Sequence, residues 1–466
     1  MNARRNVLFI VLDSLRADHV SCCGYGRQTT PFIDWFAEKS VLFRQAIAPK
    51  YETVGVHASW WTGLYSSEHG ITCKGRRLDG SFKLLPAVLR GHGYQTAGFS
   101  NNPFVGEIHG MDQGFDTFFE APTFDAVWRR GFLPRAAHKG LSAFGLKGMD
   151  FIEKRRAERT VEKIASWFET TYLDRRDLPF FVFANLMDTH LSHYPLRRYR
   201  KRFIERAVSD EDIRRANKDP ILVSTGQESM SPADFDLLVR LYDADIAYTD
   251  DQVGRLLQYM KRRGLLENTL VIVTSDHGDQ FGENGLYGHM LSLADSLLHV
   301  PLIIRHPDLD GGRTVDAQVG TIHLYHTLLT HCGIDPFEYS NGRTGKDLLD
   351  ADFMARGEPH VFAEQEWWSN ANMARVPENT SKRCVRTPDR KYVEVDGGGD
   401  QLYDLRRDPA ETTNRIGEAG AGVEPLKAAL EQWRGTLVRQ GETNAAPKTG
   451  GVDALIAARL KDLGYM

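Results

Sequence analysis

Runs of consecutive apolar residues recur along the chain, and each run ends in a cluster of polar residues. Such runs are typical of strands that are buried on both faces of a parallel sheet. They predict strands at residues 6–12, 41–46, 95–99, 178–187, 270–273 and 301–305. Segments with apolar residues at helical spacing lie between them, the longest at residues 233–264. The alternation predicts an α/β fold with a large, mostly parallel sheet flanked by helices.

The pattern changes near residue 351, where the apolar segments become shorter. A glycine-rich turn at residues 396–400 separates two short β-like segments, as in a hairpin, and a helix is predicted at residues 423–440. A chain of 466 residues also exceeds what one core usually supports. We therefore expect a large α/β domain at residues 1–350 and a smaller C-terminal α+β subdomain at residues 351–466, with an antiparallel sheet and a packed helix.

Carboxylate and imidazole groups follow two of the predicted strands. Asp13 follows the first strand, and Asp276 and His277 follow the strand at residues 270–273. In open α/β sheets, ligands bind at the carboxyl ends of the strands. The glycines at residues 278–288 let the next loop fold closely round a cation, and His289 closes that loop. These residues predict a divalent metal site, although an isolated Asp-His pair more often makes turn hydrogen bonds.

Further polar groups are expected at the same edge. His190 follows the strand at residues 178–187 and can donate a proton to a leaving group, and Asn102 follows the strand at residues 95–99. Thr53 lies just before a predicted helix, where a hydroxyl gains from the helix dipole and from free N–H groups. Each of them also has an ordinary interpretation, Thr53 as a helix cap and His190 as a hydrogen-bonded structural residue.

Charge and composition exclude some classes of protein. The formal net charge of −4 gives no electrostatic case for a nucleic-acid partner. No apolar run approaches the ~20 residues of a membrane helix, and the amino terminus enters a strand instead of a signal peptide, so we expect a cytoplasmic protein without a membrane segment. The five cysteines form neither a disulfide framework nor a thiolate zinc pattern.

Several motifs together resemble the sulfatase branch of the alkaline phosphatase superfamily, over nearly the whole length of the chain. The stretches that carry the resemblance are NVLFIVLDSLRADH, HASWWTGLYSSEHG, NLMDTH, DADIAYTDDQVGRLL, VIVTSDHGDQFGENG and LYDLRRDPAE. Their number and order make coincidence improbable, although one such motif alone would be weak. The resemblance implies an alkaline phosphatase-like fold with a large mixed sheet, and metal-dependent ester hydrolysis.

The resemblance also implies roles for particular residues. The metal ligands would be Asp13, Thr53, Asp276 and His277, with Thr53 also the nucleophile. His190 and His289 would act on the oxyanion or the leaving group. We expect His57 and Asn102 to contact the substrate.

The chain departs from a true sulfatase at the nucleophile. The family's formylglycine is made from Cys or Ser in a C-x-P-x-R pattern, nine residues before the Thr of a TG pair; counting back from Thr62 gives Thr53, with Gly55 and His57 in place of Pro and Arg. Formylglycine cannot be made from threonine. The stretch CKGRR at residues 73–77 mimics the pattern but follows the TG pair, so we interpret it as a decoy.

A second departure concerns the metal. The family's second amino-terminal Asp is Ser14 here, which leaves the site one carboxylate short. With His277 among the ligands, one Mn²⁺ or Zn²⁺ ion is favoured over Ca²⁺ or Mg²⁺.

We therefore predict a hydrolase of phosphate or phosphonate esters that acts through a covalent threonine intermediate. A threonyl phosphate can be hydrolysed by water, whereas a threonyl sulfate lacks the second hydroxyl through which formylglycine expels sulfate. The alternatives are a sulfatase without formylglycine and a non-catalytic binding protein that has kept the fold. The expected partner is a small anionic ester, and the sequence is compatible with a homo-oligomer without setting the oligomeric state.

Overall fold

The computed structural model describes residues 4–72, 77–120, 156–366, 380–418 and 422–437. The strands of this part of the chain are β1 (Asn6–Leu12), β2 (Val41–Ile47), β3 (Gln95–Ser100), β4 (Thr117–Glu120), β5 (Phe180–Leu186), β6 (Thr269–Thr274), β7 (Gln280–Phe281), β8 (Tyr287–Gly288), β9 (His299–Arg305), β10 (Arg313–Gly320), β11 (Val361–Gln365), β12 (Lys382–Arg386), β13 (Arg390–Val395) and β14 (Gln401–Asp404).

The α-helices of the same residues are α1 (Pro31–Ala37), α2 (Thr53–Thr62), α3 (Ser66–His69), α4 (Leu85–Gly91), α5 (Arg156–Trp167), α6 (Arg197–Phe203), α7 (Asp210–Ala216), α8 (Pro220–Ser224), α9 (Pro232–Arg262), α10 (Asp295–Leu298), α11 (Leu324–His331), α12 (Ala351–Arg356) and α13 (Glu424–Thr436). None of them is long and apolar enough to span a membrane.

Eight strands form the large sheet, in the order β10-β2-β9-β6-β1-β5-β3-β4. The strands β6, β1, β5, β3 and β4 run parallel to one another, and β9 is antiparallel to both of its neighbours. The predicted large mixed, mostly parallel sheet is therefore confirmed.

Both faces of this sheet are buried, as the continuous apolar strands predict. Along β1, Leu8 and Ile10 join the core on the face that α1, α5 and α9 cover, whereas Val7 and Phe9 join the opposite core. This division follows from the two-residue period of a strand. On the second face, Trp60 and Trp61 of α2 pack against Phe9.

A smaller antiparallel sheet follows, in the order β11-β12-β13-β14. Its core includes Tyr392 and Leu402, on which Leu430 and Trp433 of α13 pack. The predicted C-terminal sheet with its packed helix is confirmed, and the domain boundary at residue 350 stays a prediction. The fully buried Lys391 of β13 pairs with Asp295 at 2.5 Å and with Glu411 at 2.7 Å, which ties the small sheet to the segment after β8, at the start of α10.

Some elements were not predicted. The strands β4, β10 and β11 were missed, and the helix predicted at residues 423–440 is observed only over Glu424–Thr436, with residues 438–440 outside the described residues. The mixed basic and aromatic sequence of residues 120–160 predicts a helical excursion, but residues 121–155 lie outside the described residues, as do residues 73–76 of the decoy stretch. The charged stretch at residues 197–235 contains α6, α7 and α8 and the start of α9.

Candidate active site and metal centre

The site lies at the carboxyl edge of the large sheet. Asp13 follows β1, His190 follows β5, and Asp276 and His277 follow β6, so neighbouring parallel strands deliver them to one place. Thr53 begins α2, which follows β2. The sequence therefore predicted the correct sheet edge for these residues.

Three of the predicted metal ligands form a compact cluster. Ligand atoms of Asp13, Asp276 and His277 all lie within 4.8 Å of one another, and the three residues are fully buried. Oδ2 of Asp276 is buried without a hydrogen-bond partner among the described residues. Burial and the neighbouring Asp13 charge raise the pKa of Asp276. A bound cation would relieve both effects, so the residues present fit a divalent metal ion.

Asp13 is held by amide groups. Nδ2 of Asn102 donates to Asp13 Oδ2 at 2.7 Å, and Nδ2 of Asn185 donates to the same oxygen at 3.3 Å. Burial opposes ionisation of Asp13, but the nearby His190 and His277 and the hydrogen bond from Asn102 lower its pKa. The carboxylate is therefore kept ionised, as a metal ligand must be.

Ser14 donates a hydrogen bond to each of the two carboxylates. Its backbone N–H donates to Asp276 Oδ1 at 3.1 Å, and its hydroxyl donates to Asp13 Oδ1 at 3.4 Å. Its φ of 62° is in the left-handed region, which is uncommon for a residue with a side chain. The residue in the position of the family's second Asp thus supports the ligands in this chain.

Thr53 lies against this cluster. Its hydroxyl Oγ1 is 3.1 Å from Nε2 of His277, and the residue is almost fully buried. Nδ1 of His277 lies 2.9 Å from the carbonyl of Gly278. Since that nitrogen donates to the carbonyl, the neutral ring carries its lone pair on Nε2, towards Thr53.

His190 and His289 line the same site. Their ring centroids are 4.9 Å apart, and the His289 ring is 4.4 Å from that of His277. Nδ1 of His190 donates to the Leu191 carbonyl at 2.5 Å, so the neutral ring carries its lone pair on Nε2. Burial and His289 lower the pKa of His190 to about 4, and burial and His277 lower that of His289 to about 3.

His57 and Asn102, which were predicted to contact the substrate, hydrogen-bond to other residues of the site. His57 is fully buried between Trp60 and Phe183, and its Nδ1 donates to the Thr53 carbonyl at 2.8 Å. Asn102 is also buried, and its amide binds Asp13 at one end and the Phe104 N–H at the other. These hydrogen bonds are to Asp13, to the backbone of Thr53 and to the backbone of Phe104, and direct contacts of His57 and Asn102 with substrate stay predictions.

Two residues that belong to the site were missed. Asn185 lies inside β5 and reaches Asp13 and, at 3.5 Å, His57. The fully buried Asp279 accepts a hydrogen bond from His289 Nδ1 at 2.7 Å. A polar residue in an otherwise apolar strand was an available signal for Asn185, and the acidic residue in the DHGD stretch was one for Asp279.

Comparison with known proteins decides the family. The sequence model of the sulfatase family matches residues 5–334, which is more than half of the chain. The chain belongs to the sulfatase family. Its members are hydrolases that bind a divalent metal, which agrees with the cluster of Asp13, Asp276 and His277.

Similar proteins align with most of the chain. The chain is 23% identical to an ulvan-active sulfatase of Formosa agariphila over 89% of this chain and 77% of that protein. It is 23% identical to an N-acetylglucosamine-6-O-sulfatase of Bacteroides thetaiotaomicron over 89% of this chain and 83% of that one. Its fold matches that of a phosphonate monoester hydrolase of Agrobacterium radiobacter, with a TM-score of 0.71 and 21% identity over 93% of this chain and 96% of that one.

Proposed function

We propose that this sulfatase-family protein hydrolyses phosphate or phosphonate esters through a covalent intermediate on Thr53. The observation that carries the proposal is the position of Thr53 Oγ1, 3.1 Å from His277 Nε2 and next to the two buried aspartates. A hydroxyl in this position can attack a phosphorus centre and form a phosphothreonine.

The start of α2 supports anion binding beside Thr53. The first intrahelical bond there is the Val56 N–H to the Glu52 carbonyl, so the N–H groups of Thr53, Val54 and Gly55 precede the hydrogen-bond ladder. Glu52 provides no side-chain cap. Free N–H groups and the positive end of the helix dipole stabilise a phosphoryl oxygen, and more strongly as its charge grows in the transition state.

Asp13, Asp276, His277 and the Thr53 hydroxyl would hold one divalent ion. Such an ion supplies Lewis acidity and lowers the pKa of an oxygen bound to it. One imidazole among three oxygen ligands favours Mn²⁺ or Zn²⁺ over Ca²⁺ or Mg²⁺.

His190 and His289 would supply the proton that the leaving group needs. Because burial and the neighbouring imidazoles depress their pKa values, neither ring holds a second proton readily in the free site. The negative charge of a bound ester raises both pKa values, so protonation follows substrate binding. The ring that gains the proton on Nε2 can then deliver it to the departing oxygen.

A sulfate ester is the second candidate substrate, because both relatives described above are sulfatases by name. A sulfothreonine would need direct attack by water at sulfur, since it has no second hydroxyl through which to collapse. This chemistry favours the phosphorus esters as the faster substrates.

The test is to compare metal-loaded protein on aryl phosphate monoesters, diesters, phosphonates and sulfates with the same leaving group. Intact mass spectrometry of acid-quenched enzyme during turnover is expected to show a phosphoryl adduct on the peptide that contains Thr53. Turnover of the sulfate alone, with no turnover of any phosphorus ester, would contradict the preferred substrate class.

A further inference from the structure

The segment that follows His289 is held by buried lysines of the small C-terminal sheet. Nζ of Lys382, the first residue of β12, donates to the Leu291 carbonyl at 2.6 Å. Nζ of Lys391 on β13 donates to the Leu293 carbonyl at 2.9 Å. Both lysines are almost fully buried, and a hydrogen bond in such surroundings is stronger than one in water. The small sheet therefore fixes the backbone of this segment from outside the large sheet.

Leu291 has an unusual backbone conformation. Its φ of 63° lies in the left-handed region, where residues other than Gly, Asn and Asp are rare. Such a conformation persists only where the surrounding contacts stabilise it. The side chain of Leu291 is buried with Ile221 and Met290, and its carbonyl accepts from Lys382. Since Leu291 lies two residues after His289, the contacts that hold its backbone also determine where the His289 ring lies.

Other contacts hold His289 from the preceding side. Oγ of Ser224 donates to the Tyr287 carbonyl at 3.1 Å and accepts from the Tyr287 N–H at 2.9 Å. The Asp279 carboxylate accepts from the His289 ring at 2.7 Å. The ring is thus held through Asp279, the backbone before it through Ser224, and the backbone after it through Lys382.

The small sheet also contacts the segment that leads to the nucleophile. Tyr51 lies two residues before Thr53 and is buried in a core that it shares with Leu293, from the segment after His289. Cys384 of β12 belongs to the same core. One sheet therefore packs against the chain on both sides of the site, next to the nucleophile and next to the histidine.

We infer that Lys382 is a positioning residue for His289, through which the C-terminal sheet sets the place of this ring relative to Thr53. The inference rests on the proposed function, in which His289 is one of the groups that supply the proton for the leaving group. Without the Lys382 ammonium, the left-handed backbone at Leu291 loses a stabilising contact, so the segment relaxes and the ring shifts. A displacement of about 1 Å can lower turnover by about 100-fold.

The simpler role for Lys382 is to attach the small sheet to the large domain. Lys391 and Arg386 already make that attachment, because both pair with Asp295. Asp295 lies six residues after His289, whereas the carbonyl that Lys382 binds lies two residues after it. A structural role predicts only a loss of stability when Lys382 is replaced, whereas a positioning role predicts a loss of turnover that depends on His289.

Arg305 provides a matched control for Lys382. Its Nη1 donates to the carbonyls of Leu266 and Thr269, at 2.8 Å and 3.1 Å. These carbonyls lie at the amino end of β6, at the opposite edge of the large sheet from the metal cluster. The variants Lys382→Met and Arg305→Met each remove a cation that binds backbone carbonyls, one beside the site and one remote from it.

The first measurement is turnover by full-length protein loaded with Mn²⁺. The substrates are the phenyl and 4-nitrophenyl esters of whichever phosphate or phosphonate the unmodified protein hydrolyses fastest. Lys382→Met is expected to lower kcat by about 10- to 100-fold for the phenyl ester and by less for the 4-nitrophenyl ester, whose leaving group needs little protonation. KM is expected to change by less than about 3-fold, because the loss affects the transition state.

Three further variants make this measurement specific. Arg305→Met is expected to turn over both esters like the unmodified protein. Lys382→Arg keeps a cationic donor and is expected to retain more turnover than Lys382→Met. In a His289→Ala background, Lys382→Met is expected to lower kcat by less than about 2-fold, because the ring that it positions is already absent.

The second measurement does not depend on activity. Hydrogen–deuterium exchange with mass spectrometry follows the peptide of residues 286–297 in the same Mn²⁺-loaded proteins. Lys382→Met is expected to exchange faster over this peptide than the unmodified protein, and Arg305→Met is not. A protein that hydrolysed no ester would contradict the proposed function, and faster exchange in Lys382→Met alone would still support the role of Lys382 in holding the segment.

Three outcomes would overturn the inference: equal losses of turnover for the two esters, an undiminished loss in the His289→Ala background, or unchanged exchange over residues 286–297 in Lys382→Met. Should Lys382→Met fail to fold, Lys382→Gln, which keeps a shorter donor, takes its place in both measurements and is judged by the same outcomes.

Discussion

At the scale of single residues, the proposed chemistry depends on the hydroxyl group of Thr53. Thr53→Ser keeps the oxygen and is expected to retain measurable turnover, whereas Thr53→Val keeps the shape, removes the oxygen, and is expected to lower kcat by several orders of magnitude. Metal content has to be measured in the same samples, because the side chain also lies at the metal cluster. Wild-type turnover by fully loaded Thr53→Val would show that water is the nucleophile.

Asp276 is the ligand whose contribution can be tested most directly. Asp276→Ala removes a fully buried carboxylate whose Oδ2 makes no hydrogen bond within the described chain, so it is expected to abolish divalent ion binding. Its Oδ1 accepts from the Ser14 and His277 N–H groups, so the variant is expected to lose some stability but to remain folded. Equilibrium dialysis followed by metal analysis measures occupancy, with Thr53→Ser as the control. Full occupancy in Asp276→Ala would refute the ligand assignment.

Asp279 is expected to act through His289 as a positioning residue. Its carboxylate accepts from His289 Nδ1 at 2.7 Å and so fixes the ring, whose centroid lies 4.4 Å from that of His277. Asp279→Asn is expected to lower kcat by about 10- to 100-fold for an ester with a poor leaving group, and by less for one with a low-pKa leaving group, which needs little protonation. His289→Ala provides the comparison: equal losses for both leaving groups in both variants would exclude acid catalysis by this pair.

At the residue scale, the strand-end rule predicted Asp13, His190, Asp276 and His277, because parallel strands bring distant residues to one edge. The rule could not show that Asn102 hydrogen-bonds to Asp13 and that His57 hydrogen-bonds to the Thr53 carbonyl. It also missed Asn185, because a polar group inside a buried strand becomes informative only when its neighbours on adjacent strands are known.

At the scale of elements, the central strands were predictable and the peripheral ones were not. β1, β5 and β6 are buried along their whole length, so their sequences are continuous apolar runs. β10 and β4 lie at the two ends of the sheet, and β10 carries exposed Arg313, Thr314 and Asp316. An end strand faces solvent along one side and keeps polar residues, which breaks the pattern that identifies a buried strand.

The contact between the small sheet and the loop after β8 gives a prediction at this scale. Lys391 lies fully buried between Asp295 and Glu411, and its Nζ also donates to the Leu293 carbonyl at 2.9 Å. Lys391→Met leaves Glu411 as a buried carboxylate without its cation, so it is expected to lower the free energy of unfolding by about 3 kcal/mol. Thermal or urea unfolding measures the loss.

The half-exposed Lys427, 4.0 Å from Asp400, is the control for that measurement. Lys427→Met is expected to change the unfolding free energy by less than about 1 kcal/mol, because exposed ion pairs contribute little. A similar loss in the two variants would show that burial of the Lys391 network is not what stabilises the contact.

At the scale of the whole molecule, buried neutral histidines are expected to make folding stability depend on pH. His69 is buried on α3, where its Nδ1 accepts the Ile71 N–H at 2.9 Å. Burial and the nearby Lys50 charge lower its pKa to about 3. Since an unfolded histidine titrates near 6.5, the unfolded chain binds more protons than the folded one between those two values, and stability must fall as the pH falls through that range.

His69→Asn offers a direct measurement of this effect, because the amide oxygen of asparagine can replace Nδ1 as the acceptor for the Ile71 N–H. For a single group that is neutral in the folded chain and protonated in the unfolded chain, the free energy of unfolding falls by on the order of 1.4 kcal/mol for each unit by which the pH is lowered. Urea unfolding midpoints between pH 6 and pH 4 are expected to fall less steeply for the variant than for the unmodified protein, after subtraction of their difference at pH 7.5. Parallel pH profiles of the two proteins would show that His69 is not neutral in the folded state, and the loss of stability in acid would then have to arise from other buried groups.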